Sequence, residues 1–184
     1  MEKGKIIFLN GVSSSGKTTL AKTLQDRLTK PFYWISVDTF IMMTPEKNLN
    51  KEGGQIILNA ISAMHHTIKT YSDMGLNTIV DHVFEKSEWM QECVELLHNY
   101  PVLFVHVTCP IDELRRREKE RGDRNIGQGE SQISMLKNAN PKDIYDITVD
   151  THANSSEECA AKIIEILNYP EKFTAFKILW EQRR

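Results

Sequence analysis

Short apolar runs alternate with amphipathic stretches along most of the 184-residue chain. Runs of this length are typical of buried strands, and the stretches between them repeat apolar residues at helical spacing. The predicted strands are residues 5–10, 33–37, 78–80, 102–107 and 144–149, and the predicted helices are residues 17–28, 55–71, 87–98, 110–121 and 157–167. Ser155 and Glu158 predict a capping box before the last helix. The alternation predicts an α/β fold, a parallel sheet with helices on both faces, and ligands beyond the carboxyl ends of its strands.

The composition fits one compact domain over residues 1–184, with an extra C-terminal helix over about residues 170–184. The chain is 40% hydrophobic and 26% charged, which argues against disorder, and its net charge of −2 argues against a nucleic-acid or anionic-membrane binder. Three scattered cysteines and the lack of a signal-like apolar run favour the cytoplasm. We therefore expect a cytoplasmic monomer or homodimer without a membrane or nucleic-acid partner.

A phosphate-binding loop follows the first predicted strand and matches the pattern G-x-x-x-x-G-K-[ST]. Its backbone N–H groups and the dipole of the next helix would hold the phosphates of ATP. Lys17 would reach the β- and γ-phosphates, and the Thr18 hydroxyl would bind Mg²⁺. The alternative is a Gly/Ser-rich turn with a capping threonine. The predicted nucleotide-binding residues of this segment are Gly11, Val12, Ser13, Ser14, Ser15, Gly16, Lys17, Thr18 and Thr19.

Two aspartates follow predicted strands and should face the same crevice. Asp81 is a candidate second ligand of Mg²⁺. Asp38 would accept a hydrogen bond from an acceptor hydroxyl and orient its oxygen toward the γ-phosphorus. Helix capping or turn formation is the alternative role for both residues. The apolar residues 40–43 would line an acceptor pocket or belong to the core.

Five of the eight arginines lie between residues 115 and 124. Arg117, Arg121 and Arg124 are spaced to share one helix face beside glycines, so the segment of about residues 117–131 is a candidate lid over the transferred phosphate. The alternative is a solvated helix with Asp112–Arg116 and Glu113–Arg117 pairs. RNA binding is a further option, but aromatic residues are not interleaved with these arginines.

The chain has no visible guanine-recognition motif and no second ATPase lobe. A compact kinase or a nucleotide-binding switch remains. The segments 11–17, 36–40, 80–84, 121–124 and 145–151 occur in an order that resembles chloramphenicol phosphotransferase-like P-loop kinases, over about residues 5–167. The resemblance implies a five-stranded parallel sheet of the nucleotide-kinase type and ATP-dependent phosphorylation of a drug hydroxyl. It also implies that Asp38 is the base and that Arg117, Arg121 and Arg124 are lid arginines. His82 departs from the acid expected after Asp81, and residues 41–54 match only loosely.

The sequence therefore predicts a P-loop kinase that transfers the γ-phosphoryl group of Mg²⁺-bound ATP to a hydroxyl of a small molecule. Lys17, Asp38, Arg121 and Arg124 are its predicted catalytic residues, and Arg117 would help bind the nucleotide, with stacking on adenine as an alternative to phosphate contact. Residues 150–152 are expected near the base. Kinases of a nucleoside, a sugar acid or a nucleic-acid end are alternatives. A nucleotide-dependent sensor or switch without an acceptor is an alternative of another class.

Overall fold

The computed structural model describes residues 2–122 and 126–183, without the side chains of residues 50–52. Five strands form one parallel sheet, in the order β2-β3-β1-β4-β5. The strands are β1 (Ile6–Asn10), β2 (Phe32–Ser36), β3 (Asn77–His82), β4 (Val102–Thr108) and β5 (Ile147–Asp150). The predicted fold class is confirmed, because parallel strands with helical crossovers make up the whole sheet.

Helices connect successive strands and cover the sheet. They are α1 (Lys17–Arg27), α2 (Val37–Met42), α3 (Glu46–Asp73), α4 (Ser87–Leu97), α5 (Ile111–Arg121), α6 (Gln128–Ala139), α7 (Ser156–Leu167) and α8 (Ala175–Glu181). No helix within the two described ranges has the length and apolar character needed to cross a membrane.

The central strand β1 organises the core on both faces of the sheet. Its alternate side chains point to opposite faces, as strand geometry requires. Ile6 and Phe8 pack with residues of α3, α4 and α8, whereas Ile7 and Leu9 pack with residues of α1 and α7. All four side chains are buried, which explains why β1 is an unbroken apolar run.

Several predicted boundaries are wrong for identifiable reasons. Helix α3 begins at Glu46 and continues through Gly53 and Gly54, where local propensity would favour a break. Strand β5 begins at Ile147, because Asn140 exchanges two hydrogen bonds with the backbone of Ile144 and holds that segment in a loop. The C-terminal helix is shorter than expected, since a 3₁₀ turn at Pro170–Lys172 precedes α8. The capping box of Ser155 and Glu158 is confirmed.

The two aspartates are placed differently from the prediction. Strand β2 ends at Ser36, whose hydroxyl accepts a hydrogen bond from the Thr39 N–H and caps α2. Asp38 therefore lies in the first turn of α2 and not at the end of a strand. Asp81 lies inside β3, which continues to His82. Both side chains nevertheless face one cleft above the sheet.

The predicted lid consists of the end of α5, the start of α6 and a connection between them. The catalytic prediction for Arg124 lies outside the described residues. Glu118 of α5 is buried, and its carboxylate accepts hydrogen bonds from the N–H groups of Gly127 and Gly129, both at 2.7 Å. A carboxylate at a helix N-terminus satisfies N–H groups that have no partner within the helix. This contact fixes the start of α6 against α5.

Candidate active site

The phosphate-binding loop has the tight geometry that its glycines permit. Ser14 and Gly16 have positive φ angles of 61° and 92°, and Gly16 directly precedes α1. A Cβ on Gly16 would lie 3.3 Å from the Thr151 side chain. Alternation of backbone conformation at a helix N-terminus creates a concave site for anions. The residues of the motif therefore form a P-loop and not an ordinary capped turn.

A cleft of about 1040 Å³ opens above the carboxyl ends of the strands. Of the predicted nucleotide-binding residues, Ser13, Ser14, Gly16, Lys17, Thr18, Thr19 and Arg117 line it. Gly11, Val12 and Ser15 of the same loop are buried and do not line the cleft. Gly11 is required by packing, since a Cβ there would overlap the Val107 carbonyl oxygen, and Val12 packs with Leu114 and Leu136.

Lys17, Thr18 and Asp81 form a small polar cluster at the start of α1. Lys17 Nζ donates a hydrogen bond to the Val12 carbonyl oxygen at 2.9 Å and lies 3.7 Å from Asp81 Oδ1. The Thr18 hydroxyl donates to Asp81 Oδ2 at 2.9 Å. Lys17 and Asp81 are both buried, so each charge has an opposite charge near it.

This cluster has the donor set that suits Mg²⁺. Hydroxyl and carboxylate oxygens are hard ligands, and Mg²⁺ is usually bound by one or two protein groups, with phosphates and waters completing the coordination. Thr18 and Asp81 present such oxygens next to the P-loop. Within residues 2–122 and 126–183, no group of three or more His, Cys, Asp or Glu side chains could hold a metal by itself. The residues present therefore fit a magnesium ion shared with a nucleotide.

Arg117 lies across the P-loop, where hydrogen bonds to Thr151 and to Glu113 hold its guanidinium. Its guanidinium donates to the Thr151 hydroxyl and to the Thr151 carbonyl oxygen, both at 3.0 Å, and to Glu113 at 2.8 Å. The Thr151 hydroxyl in turn donates to the Ser15 carbonyl oxygen at 2.7 Å. Thr151 lies directly beyond β5, so β5 and α5 hold Arg117 beside the phosphate site together.

The remaining arginines of α5 divide into two groups. Arg121 lines the cleft, as the lid prediction requires. Arg115 and Arg116 are exposed and form ion pairs on the helix surface, Arg115 with Glu130 and Arg116 with Glu113 and Glu120. These two arginines fit the alternative interpretation of a solvated helix face. Arg116 pairs with Glu113 and Glu120, where that interpretation named Asp112, and the Glu113–Arg117 pair that it named is present.

Helix α6 contacts the P-loop through two residues that sequence reasoning missed. Gln132 Oε1 accepts a hydrogen bond from the Ser13 N–H at 2.6 Å, and Gln132 Nε2 donates to Glu85 at 2.6 Å. A Cβ on Gly129 would lie 2.7 Å from the Ser13 carbonyl oxygen, so only glycine allows this approach. In the sequence, the glycines at positions 127 and 129 are the feature that could have indicated this close contact.

We call the part of the cleft around the P-loop the P-loop end; Ser13, Ser14, Gly16, Lys17, Thr18, Asp81, Arg117 and Thr151 line it. The part beyond β2 and β3 is the Asp38 end; Asp38, Trp34, Ile41, Met42, Ile57, Ile61, His82, Glu85 and Trp89 line it. Of the apolar residues 40–43, Ile41 and Met42 line this end, Phe40 packs against the core and Met43 is exposed.

Two histidines lie beneath the Asp38 end. Burial lowers the pKa of His82 well below its usual value, and the nearby His65 and Lys17 lower it further. His65 is buried beside Glu92, with 2.8 Å between its Nδ1 and a carboxylate oxygen, and burial is also the largest cause of its lowered pKa. His65 is thus a core residue, whereas the adjacent His66 is exposed on α3.

A five-stranded parallel sheet with a P-loop after its first strand defines the class of P-loop nucleotide-binding proteins. The model of the chloramphenicol phosphotransferase-like protein family matches residues 4–168, and the chain belongs to this family. The resemblance predicted from the sequence is therefore confirmed.

A relative from Mycobacterium tuberculosis (strain ATCC 25618 / H37Rv), whose name gives a provisional assignment as an O-phosphotransferase, is 29% identical over 96% of this chain and 89% of its own length. A sugar kinase from Janibacter sp. HTCC2649 has a similar structure, with a TM-score of 0.70 and 21% identity over 92% of this chain and 98% of the kinase. Shikimate kinase from Acinetobacter baumannii, solved with shikimate, gives a TM-score of 0.66 and 18% identity over 90% and 94% of the two chains. The two structural similarities establish the fold.

Proposed function

We propose that this protein transfers the γ-phosphoryl group of Mg²⁺-bound ATP to a hydroxyl group of a small molecule. The observation that carries the proposal is one cleft lined by both Asp38 and the P-loop, with Lys17, Thr18 and Asp81 at its base. The family description and the name of the mycobacterial relative support transfer to an oxygen atom. The cytoplasmic location and the monomer or homodimer remain predictions from composition.

The P-loop end would bind the triphosphate. A phosphate oxygen that accepts from the Ser13 N–H would take the place that Gln132 Oε1 has here. Lys17 Nζ, which now donates to Val12, would turn to the β- and γ-phosphates. Thr18 and Asp81 would hold Mg²⁺, which supplies positive charge beside the transferring group. Arg117 and Arg121 would donate to the oxygens on which negative charge develops, and Arg124 is proposed for the same role.

Asp38 would position the acceptor. Its carboxylate accepts a hydrogen bond from the acceptor hydroxyl, so that the hydroxyl oxygen points at the γ-phosphorus. A bond forms between that oxygen and phosphorus while the bond from phosphorus to the oxygen of departing ADP breaks. The hydroxyl proton passes to Asp38 late in the transfer, because the transition state is loose and orientation is the larger contribution.

The proposal is tested by measuring ADP release and by phosphorus NMR of the product. The purified protein, ATP and Mg²⁺ are combined with a library of hydroxylated antibiotics, nucleosides, sugar acids and metabolites. ADP release that depends on one of these compounds, with a phosphate ester of that compound as product, is the expected result. Slow ATP hydrolysis that no compound accelerates would contradict the proposal and favour the sensor or switch.

The role of Asp38 is tested with Asp38→Asn, which keeps the shape of the side chain but weakens its basicity. The turnover number should fall by about 10²–10⁴-fold, while the KM for ATP stays within about twofold. Asp26→Asn, on the exposed face of α1, is the matched control and should behave as the parent protein does. Equal turnover by Asp38→Asn and the parent would exclude this role.

A further inference from the structure

The side chain of Gln132 contacts both ends of the cleft. Its Oε1 accepts a hydrogen bond from the Ser13 N–H at 2.6 Å, and its Nε2 donates to a carboxylate oxygen of Glu85 at 2.6 Å. Ser13 belongs to the P-loop end and Glu85 to the Asp38 end, and all three residues line the cleft. A single amide group therefore connects the phosphate site with the end assigned to the acceptor.

The backbone that carries Gln132 is fixed against the P-loop. Gly129 lies three residues earlier on the same face of α6, and a Cβ there would lie 2.7 Å from the Ser13 carbonyl oxygen. The Glu118 carboxylate accepts hydrogen bonds from the N–H groups of Gly127 and Gly129. Because α6 cannot withdraw without losing these contacts, a change at Ser13 is accommodated by rotation of the Gln132 side chain, which is 7% exposed.

In this arrangement the Ser13 N–H is not available to a phosphate. A backbone N–H carries one hydrogen, and Gln132 Oε1 already accepts it. A triphosphate oxygen that takes this N–H must displace Oε1, so the hydrogen bond between Gln132 and Ser13 opposes nucleotide binding. A neutral hydrogen bond of this kind changes an equilibrium constant by about threefold to tenfold.

Glu85 determines which way the Gln132 amide faces. In the flipped orientation Oε1 would face the Glu85 carboxylate and the NH₂ group would face the Ser13 N–H, and both contacts are repulsive. The hydrogen bond to the carboxylate is also charge-assisted and therefore stronger than a neutral one. An acceptor molecule that donates a hydrogen bond to Glu85 competes for this carboxylate and weakens its contact with Gln132.

We propose that Gln132 is a positioning residue that makes the binding of nucleotide and acceptor cooperative. An acceptor with a hydroxyl or amine donor for Glu85 loosens the amide, and the released Ser13 N–H then binds a phosphate oxygen. The nucleotide in turn promotes binding of the acceptor by the same factor, because such coupling is reciprocal. The coupling runs through Glu85 and does not involve Asp38. The inference rests on the proposed function, because it assigns the triphosphate and the acceptor to the two ends of the cleft.

Nucleotide binding without an acceptor is measured first, by calorimetry with Mg²⁺ and a non-hydrolysable ATP analogue. Gln132→Met removes the amide and keeps a side chain of similar length, so it should bind the analogue about threefold to tenfold more tightly than the parent protein. A glutamine that only supports the P-loop would give weaker binding when removed. Gln91→Met, on the exposed face of α4, is the matched control and should bind as the parent does. Equal or weaker binding by Gln132→Met would overturn the inference.

The displacement itself is measured in the parent protein, so this test does not depend on the folding of a variant. Scalar coupling across the hydrogen bond, between the Ser13 amide nitrogen and Cδ of Gln132, should be present in the free protein. It should disappear when the protein is saturated with Mg²⁺ and the analogue. Coupling that persists at saturation would show that Gln132 stays on Ser13, which would overturn the inference.

Glu85→Ala tests whether Glu85 acts through Gln132. Loss of a negative charge favours binding of a triphosphate in any background, so the effect is compared in the parent protein and in Gln132→Met. The gain in analogue affinity from Glu85→Ala should be about twofold or more larger in the parent than in Gln132→Met. Equal gains in the two backgrounds would show that Glu85 does not hold the amide, and the proposed coupling would be wrong.

Cooperativity is then measured with any acceptor found by ADP release. A saturating acceptor should tighten binding of the analogue to the parent protein by about fivefold or more, and Gln132→Met should lose most of this effect. An acceptor that leaves analogue binding unchanged overturns the inference while the kinase activity stands.

The remaining outcomes concern the proposed function. If neither the parent protein nor Gln132→Met binds the analogue, the proposed function and the inference fail together. If the analogue binds but no compound releases ADP, the proposed function fails, and the comparison of Gln132→Met with the parent still decides whether Gln132 withholds the Ser13 N–H from the phosphate.

Discussion

The P-loop end and the Asp38 end of the cleft are built in different ways. At the P-loop end, Lys17 and Thr18 belong to one short motif, and Lys17 donates to Val12 of the same motif. At the Asp38 end, Trp34 comes from β2, Ile57 and Ile61 from α3, and Trp89 from α4. Most of the first end comes from one segment of sequence, to which Asp81, Arg117 and Thr151 are added from elsewhere, whereas the second is assembled entirely from segments that are distant along the chain.

The principal charged side chains of the two ends also differ in burial. Lys17 and Asp81 are buried and paired at the P-loop end, whereas Asp38 is exposed and Met42 at its side is 80% exposed. A triphosphate presents the same charges to every P-loop, so a fixed local geometry serves it. An exposed, partly apolar surface can change with few consequences for the core. We therefore expect the identity of the acceptor to depend on the Asp38 end.

Among the variants that test this difference between the two ends, Lys17→Ala is expected to have the largest effect on activity. Removal of the ammonium group should lower kcat/KM for ATP by about 10²–10³-fold, because a buried donor to the transferring phosphate is lost. Calorimetry with Mg²⁺ and the non-hydrolysable analogue should also show weaker nucleotide binding. Asp38→Asn, in contrast, should leave that heat of binding unchanged.

Lys177→Ala, on the exposed face of α8, is the matched control and should bind the nucleotide as the parent protein does. Equal binding by Lys17→Ala and the parent would show that the P-loop end does not hold the triphosphate. Weaker nucleotide binding by both Lys17→Ala and Asp38→Asn would show that the two ends are not independent.

The sequence predicted the P-loop end well because its chemistry is contiguous. A strand, a glycine-rich turn and a helix follow one another, and hydrogen bonds within the segment determine the geometry. The central strands were equally visible, since β1, β3 and β4 are largely buried and each contains a short apolar run, at residues 6–9, 79–80 and 102–105. Asp38 was identified, but its place in α2 was not, because the capping hydrogen bond of Ser36 could not be distinguished from a continuing strand.

Residues whose partners are distant along the chain could not be recognised from the sequence. Gln132 looks like an ordinary polar residue of an amphipathic helix, yet its amide joins Ser13 to Glu85. Glu118 lies among charged residues of α5, and only the fold reveals that it is buried against the N-terminus of α6. His82 was recognised as a departure from the family pattern. The near-parallel arrangement of its ring and that of Trp89 depends on how α4 packs, which spacing does not encode.

Glu118→Ala tests whether Glu118 holds α6 in place. The position of α6 matters for the cleft, because α6 contacts Ser13 through Gln132 and Gly129. The change leaves the N–H groups of Gly127 and Gly129 without their acceptor, so the free energy of unfolding should fall by about 2–3 kcal/mol. Urea denaturation measures the loss, and hydrogen exchange at both glycines should accelerate. Asp112→Ala on the exposed start of α5 is the control and should change the free energy by about 0.5 kcal/mol or less. A loss no larger than the control's would mean that α6 holds its place without Glu118.

The smallest predicted effect is a pH dependence that belongs to the Asp38 end. Burial lowers the pKa of His65 below its usual 6.5, against the opposing effect of Glu92, so this imidazole is neutral in the fold while the unfolded chain takes up the proton first. Its contribution to stability is therefore complete above the unfolded pKa and is lost as the pH falls through 6.5 toward the lower folded value. The free energy of unfolding should therefore fall as the pH is lowered through 6.5.

The quantity to measure is the difference between variants. The unfolding free energy of His65→Asn should depend less steeply on pH than that of the parent protein. His66→Asn, at the exposed neighbouring position, should retain the parent slope. The described P-loop end is lined by no histidine, so acid should weaken the support beneath Trp89 and His82 before it affects Lys17 and Asp81. Identical slopes for His65→Asn and His66→Asn would show that this buried imidazole does not distinguish the two ends.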